Sequence, residues 1–199
     1  MRQRSHPTDA LALPARGPLR GEAKLRAALQ AFDVGVAGRI ALDVGAAAGG
    51  FTRVLLAAGA TRVYAVDAGH GQLLGSLRQD PRVVNLEATN VAQLDERVIP
   101  ETVDVVTVDV SYLSLASAVA QLDRVRFAAD ADLVGLVKPM FELRLGTAPN
   151  DPDRVAAAGA RAAEGLTQAG WLVVGLIPSP VRGARGSSEM LLHARLAKR

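Results

Sequence analysis

No cysteine occurs in the 199 residues, which excludes disulfides, thiolate metal sites and a cysteine nucleophile. The three histidines, His6, His70 and His193, are scattered without metal-ligand spacing, so no metal site is expected. Aromatic residues make up 4%, too few for a broad surface on which bases stack. Hydrophobic residues reach 49%, yet no apolar run approaches the roughly 20 residues of a membrane helix. No secretory segment follows Met1, and a cytoplasmic protein without membrane contact is expected. Lysine is also scarce: there are 20 arginines and three lysines, Lys24, Lys138 and Lys198. Arginine keeps its proton, whereas a desolvated lysine can release one and act as a base. Lys24 and Lys138 therefore stand out, with chance as the alternative. The net charge of +3 permits a polyanionic partner without requiring one.

What is present is organised around residues 40–52. Ile40-Ala41-Leu42-Asp43-Val44 reads as a strand, Gly45-Ala46-Ala47-Ala48-Gly49-Gly50 as a tight turn, and Phe51-Thr52-Arg53-Val54-Leu55-Leu56 as a helix. Glycines let a backbone approach a ligand closely, and a helix start offers free N–H groups. A second strand, Val63-Tyr64-Ala65-Val66, ends in Asp67, where doubly wound folds hold a nucleoside ribose. The spacing departs from the dinucleotide fingerprint and reads as the nucleoside pocket of an S-adenosylmethionine (AdoMet) methyltransferase. Asp67 would accept the ribose hydroxyls. Asp43, Gly45, Ala46, Gly49, Gly50 and Phe51 would shape the loop for the methionine part, Asn90 would contact the adenine edge, and Asp109 would also border the cofactor.

Residues 1–19 read as a tail, and 20–199 as one domain. A helix begins near Glu22, with Leu25, Ala28, Leu29 and Phe32 on one face. Further strands are predicted at 62–67, 82–86, 103–110, 132–138, 171–177 and 188–195, and helices at 50–58, 71–78, 114–127 and 152–169. This alternation implies an α/β, doubly wound, Rossmann-like fold with a seven-stranded, mostly parallel sheet. The last two strands are joined by a loop too short for a crossover, so the last strand should run antiparallel. Asp43, Asp67, Asp109 and Lys138 then sit at strand ends, and Glu189 at the start of the antiparallel strand, all on one rim. An apolar setting favours the neutral amine of Lys138, while a paired Asp109 favours its charged form. The loop 180–186 adds Arg182 and Arg185 beside Glu189, suited either to RNA phosphates or to plain solvation.

These strings, with Leu77-Arg78-Gln79-Asp80-Pro81-Arg82-Val83, Val108-Asp109-Val110-Ser111, Val137-Lys138-Pro139 and Pro178-Ser179-Pro180, resemble the TlyA haemolysin/rRNA methyltransferase family, of FtsJ-type ribose 2′-O-methyltransferases. The resemblance runs from about Arg20 to Leu196. It implies a Lys-Asp-Lys-Glu tetrad, here Lys24, Asp109, Lys138 and Glu189, with AdoMet as cofactor and RNA, either rRNA or a ribosomal subunit, as partner. Lys138 would take the proton, Asp109 would orient it, Lys24 would favour its neutral form by like-charge repulsion, and Glu189 would balance Lys24. The family usually carries an N-terminal RNA-binding domain, for which residues 1–19 are too short, and a longer loop after Phe141-Glu142. Methylation of a small molecule or protein on the same fold remains open, as does a non-catalytic RNA-binding ribosome-assembly factor. The sequence does not set the oligomeric state.

Overall fold

Short apolar strands separated by amphipathic helices need cover on both faces of a sheet, and the chain provides it. The computed structural model describes residues 19–197. In chain order the elements are α1 (Arg20–Ala31), β1 (Ile40–Val44), α2 (Gly50–Ala57), β2 (Arg62–Val66), α3 (Gly75–Arg78), β3 (Val83–Leu86), β4 (Val103–Val108), α4 (Leu115–Val119), β5 (Phe127–Val137), α5 (Pro139–Glu142), α6 (Pro152–Gln168), β6 (Trp171–Pro178) and β7 (Met190–Leu196). The seven strands form one sheet in the order β3-β2-β1-β4-β5-β7-β6. The pairs β1–β2, β1–β4, β2–β3 and β4–β5 are parallel, while β7 lies antiparallel between β5 and β6. The expected doubly wound architecture with its reversed last strand is therefore present.

Strand side chains alternate between two apolar layers. Ala41, Val63, Val105, Val134, Leu136 and Leu191 meet Leu25, Phe51, Val54 and Leu55 from α1 and α2. Leu42, Val44, Val106, Leu133, Val137 and Leu192 meet Leu115, Ala118, Ala158, Ala162 and Leu166 from α4 and α6. The longest helix is capped as its sequence indicates: the Asp151 side chain accepts from Asp153 N and Arg154 N, and Pro152 opens the first turn.

Two predicted helices are shorter than their patterns. The helix expected at 114–127 is α4 followed by a 3₁₀ turn, Ala120–Leu122, and β5 starts at Phe127 rather than 132. Phe127 pairs with Val103 in the ladder and packs edge-on against Trp171, with ring centroids 5.3 Å apart. Asp132, the expected first residue of that strand, lies inside the sheet, held by Arg39 at 2.6 Å, His193 at 2.8 Å and Arg195 at 3.2 Å. The helix expected at 71–78 is only Gly75–Arg78, because the Glu87 carboxylate takes the Gln72 and Leu73 N–H groups at 2.6 and 3.0 Å. The tail assigned to residues 1–19 lies, except for Leu19, outside the described residues. No helix among those described is long and apolar enough to cross a membrane.

Candidate active site

Parallel strands deliver their C-terminal ends to one edge, and β1, β2, β4 and β5 end there in the polar residues that the sequence marks. The loop after β1 is fixed by its backbone. Gly45 N and Ala46 N both donate to Val66 O, at 2.9 and 3.0 Å, and Gly49 N donates to Ala46 O at 2.7 Å. Gly45 has φ +87°, and a Cβ there would lie 2.3 Å from the Asp109 carbonyl oxygen. The position therefore requires glycine on two counts. The Asp67 carboxylate accepts from Ala47 N at 2.8 Å and Gly69 N at 2.7 Å, so it bridges two loops and keeps lone pairs free.

A cavity of about 310 Å³ opens between these loops, walled by Val44, Gly45, Val66, Asp67, Val91, Asp109 and Val110, with Tyr112 at its lip. Partial burial of its ring and the Asp67 charge push the Tyr112 phenol above its ordinary range. A second hollow of about 190 Å³ shares Gly45, Ala47 and Asp109 and is closed by Arg20, Gly21, Ala46, Gly50 and Phe51. The first hollow combines apolar walls with two carboxylates, Asp67 and Asp109, which suits a nucleoside; the second continues from it along the glycine loop. Asp43, Gly49 and Asn90 line neither hollow. Asn90 accepts from Ala92 N and starts a short 3₁₀ turn. Asp43 is fully buried beneath the loop, accepting from Thr52 Oγ1 at 2.7 Å and Thr107 Oγ1 at 2.9 Å. Burial, helped by the Asp109 charge, pushes its carboxyl up to about 6 despite these bonds.

Beside the hollows stand two ion pairs. Lys138 Nζ lies 2.5 Å from Asp109 Oδ1, and Lys24 Nζ lies 2.6 Å from Glu189 Oε2. Val137 sits opposite Met190 in the antiparallel ladder, so the register continued by one step brings Lys138 next to Glu189. All four residues named from the sequence meet on this rim. Several of their supports were not among the candidates. Gly183 makes room for Glu189, since a Cβ there would fall 1.9 Å from Oε1. Glu22 binds Arg53 at 2.9 Å and accepts from Leu19 N at 3.0 Å, locking α1 onto α2. Glu142, buried and pushed up by that burial, accepts from Leu115 N at 2.6 Å and joins the loop after β4 to α5. Arg182 is spent on structural contacts, donating to Gly186 O and Ser188 Oγ and, across to the segment before α6, to Asn150 Oδ1, while Arg185 is exposed. Among the described residues no cluster of three or more His, Asp or Glu side chains is placed to hold a metal ion.

A family model for FtsJ-like methyltransferases matches residues 19–196. The chain belongs to the FtsJ-like methyltransferase family. It is 45% identical over 181 residues to the 16S/23S rRNA (cytidine-2′-O)-methyltransferase TlyA of Mycobacterium tuberculosis H37Rv, across 88% of this chain and 67% of that relative. A solved structure assigned as a hemolysin from Streptococcus thermophilus superposes with a TM-score of 0.85 at 32% identity, over 94% of this chain and 69% of that one. The N-methyltransferase NodS from Bradyrhizobium japonicum shares the fold alone, with a TM-score of 0.60 at 20% identity over 89% of this chain and 94% of that one. This FtsJ-like protein is thus an AdoMet-dependent methyltransferase, and its Rossmann-like fold is the family's.

Proposed function

We propose that this FtsJ-like enzyme methylates a ribose 2′-hydroxyl of ribosomal RNA, in the cytoplasm, where ribosomal subunits are its substrate. The observation that carries this reading is the Lys138–Asp109 contact, whose Asp109 walls a nucleoside-sized cavity, with the Lys24–Glu189 pair next to it along the β5–β7 register. The named activity of the Mycobacterium tuberculosis relative supports it.

Asp67 would take the ribose hydroxyls of AdoMet, and Gly45, Ala46, Gly50 and Phe51 would flank its methionine part. AdoMet supplies a methyl carbon on a positively charged sulfur leaving group. The chain's own residues must align the acceptor oxygen and remove its proton as the new bond forms. Lys138 is assigned as the proton acceptor, held by Asp109. Lys24, neutralised by Glu189, anchors the neighbouring wall. A ribose hydroxyl is a poor nucleophile while it keeps its proton, so a base at hydrogen-bonding distance is the part the reaction needs.

The test is labelling with tritiated AdoMet, using ribosomal subunits from a strain deleted for its TlyA-type enzyme. Label is expected in rRNA at an alkali-resistant 2′-O-methyl position. Lys138→Ala should abolish transfer while AdoMet still binds by calorimetry. Label found in protein or small molecules instead, or full activity of Lys138→Ala, would overturn the substrate or the mechanism respectively.

A further inference from the structure

Lys138 Nζ has two acceptors, not one. Besides Asp109 it donates to Ser111 Oγ at 2.8 Å. Ser111 follows Asp109 by two residues, is exposed, and lines the nucleoside-sized cavity. Among the described residues its Oγ makes no other hydrogen bond. A hydroxyl that accepts from an ammonium keeps its own proton to donate, and here that proton can reach only the cavity side or water. The two segments are also fixed to each other: Glu142, on the helix that starts just after Lys138, grips Leu115 N, four residues beyond Ser111.

We propose that Ser111 is a positioning residue for methyl transfer, which with Asp109 aims Lys138 Nζ at the acceptor hydroxyl and carries away the proton that Lys138 collects. The proposal rests on the reading of Lys138 as the proton acceptor. As the ribose oxygen bonds to the methyl carbon and the carbon–sulfur bond breaks, the hydroxyl proton passes to neutral Nζ. The resulting ammonium donates to Asp109 Oδ1 and Ser111 Oγ. It returns to the amine when Ser111 accepts one of its protons and releases its own hydroxyl proton to water. Charge balances: the sulfonium leaves as a neutral thioether, and one proton reaches solvent.

The groups around Lys138 are Asp109 at the end of β4, Glu189 before β7 with Lys24 of α1 bonded to it, Asp67 across the cavity, buried Asp43 beneath Asp109, and Glu142 of α5, which is turned to Leu115 N. A hydrogen bond to the charged form favours that form. Removing Ser111 therefore makes Lys138 release its proton at lower pH, an effect that loss of mere packing does not produce.

The chain's three lysines make the test direct. Selective ¹³Cε-lysine labelling gives three NMR signals, assigned with Lys24→Arg and Lys138→Arg. In the free protein, Ser111→Ala should move the Lys138 titration to lower pH by roughly half a unit or more. The acid limb of the kcat profile should move with it, and kcat should fall about tenfold, part of what a general base contributes. KM for AdoMet should stay unchanged, and Ser111→Thr should restore both kcat and the titration. An unmoved Lys138 titration, an unmoved acid limb, or a threonine variant as impaired as the alanine one overturns the assignment of Ser111. Full activity in Lys138→Ala overturns the reading beneath it; an inactive Lys138→Ala with an unaffected Ser111→Ala overturns Ser111 alone.

Discussion

Asp43 offers the sharpest quantitative test of the site's foundations. It has no exposure, and burial lifts its carboxyl from 3.8 to about 6, with the hydroxyls of Thr52 and Thr107 holding it lower than burial alone would. A carboxyl that binds its proton more tightly when folded favours the folded state most at low pH. That advantage is lost as pH climbs from about 4 through about 6. At about 1.36 kcal/mol per pH unit, the ionised Asp43 costs about 3 kcal/mol above pH 7. Asp43→Asn should act as a permanently neutral copy, with its amide oxygen accepting from Thr52 and its NH₂ donating to the Thr107 hydroxyl. Urea unfolding at intervals from pH 4 to pH 8 measures the difference between variant and wild type. Near pH 4 the two should be about equal, and by pH 8 the variant should be more stable by about 3 kcal/mol. Glu142, also raised by burial, adds a slope of the same sign to both proteins and cancels in the difference. Asp132 and Glu87 are lowered, so their contributions are lost only in more acidic solution, at the bottom of this window or below it. A pH-independent difference between the two proteins, or a variant less stable at pH 8, would refute the claim that Asp43 carries an uncompensated charge.

Two further outcomes follow from the geometry. Lys24→Met leaves the Glu189 carboxylate buried without its cation and should cost about 3–5 kcal/mol by urea unfolding at pH 8; adding Glu189→Leu should recover most of that loss. If Lys24→Met costs under about 1 kcal/mol, the pair is not the closed contact seen here. Gly45→Ala forces a side chain into a left-handed backbone and against the Asp109 carbonyl, and AdoMet affinity by calorimetry should fall about a hundredfold as Asp109 is displaced. Unchanged affinity would show that Gly45 does not set the distance between the loop and Asp109.

The parts of this molecule that the sequence makes legible are those with a period or a position. Alternation of strands and helices, the acids at strand ends and the short link between the last two strands give the sheet and its reversed strand. Asp67 and Asp109 then fall on the cavity wall. The partners that settle each residue's environment are hidden because they come from distant segments. Asp43 looks like Asp67 in the sequence, yet it is capped by a threonine 9 residues away and another 64 away, and so lies under the loop instead of on its surface. The strand expected from Asp132 begins at Phe127, because Phe127 pairs with Val103 and packs on Trp171, contacts that no local pattern shows. Ser111 stands in the string Val108-Asp109-Val110-Ser111 with no role attached to it; only the reach of Lys138 across 27 positions gives it one. Gly183 is legible as a turn glycine, while the reason for it, the oxygen of Glu189 where its Cβ would be, exists only after folding.

The two lysines of the site are not interchangeable, and their surroundings separate their roles. The side chains of Lys24 and Glu189 are 8% and 5% exposed, joined at 2.6 Å, and Lys24 has no other acceptor among the described residues. An ammonium and carboxylate shut away together stabilise each other as charges, and giving up the Lys24 proton would strand Glu189 in a poorly solvated place. Such a pair is suited to hold α1 against the start of β7 and to present a fixed field. Lys138 and Asp109 are 15% and 23% exposed, and the cavity runs along Asp109 and Ser111. A proton leaving Lys138 has a hydroxyl and water within reach, and Asp109 left behind can be solvated from the cavity. The same difference in exposure that makes Lys24 the better clamp makes Lys138 the better base. It follows that Lys24→Arg, which keeps a permanent charge, should be tolerated far better in the transfer assay than Lys138→Arg, which cannot give a proton up.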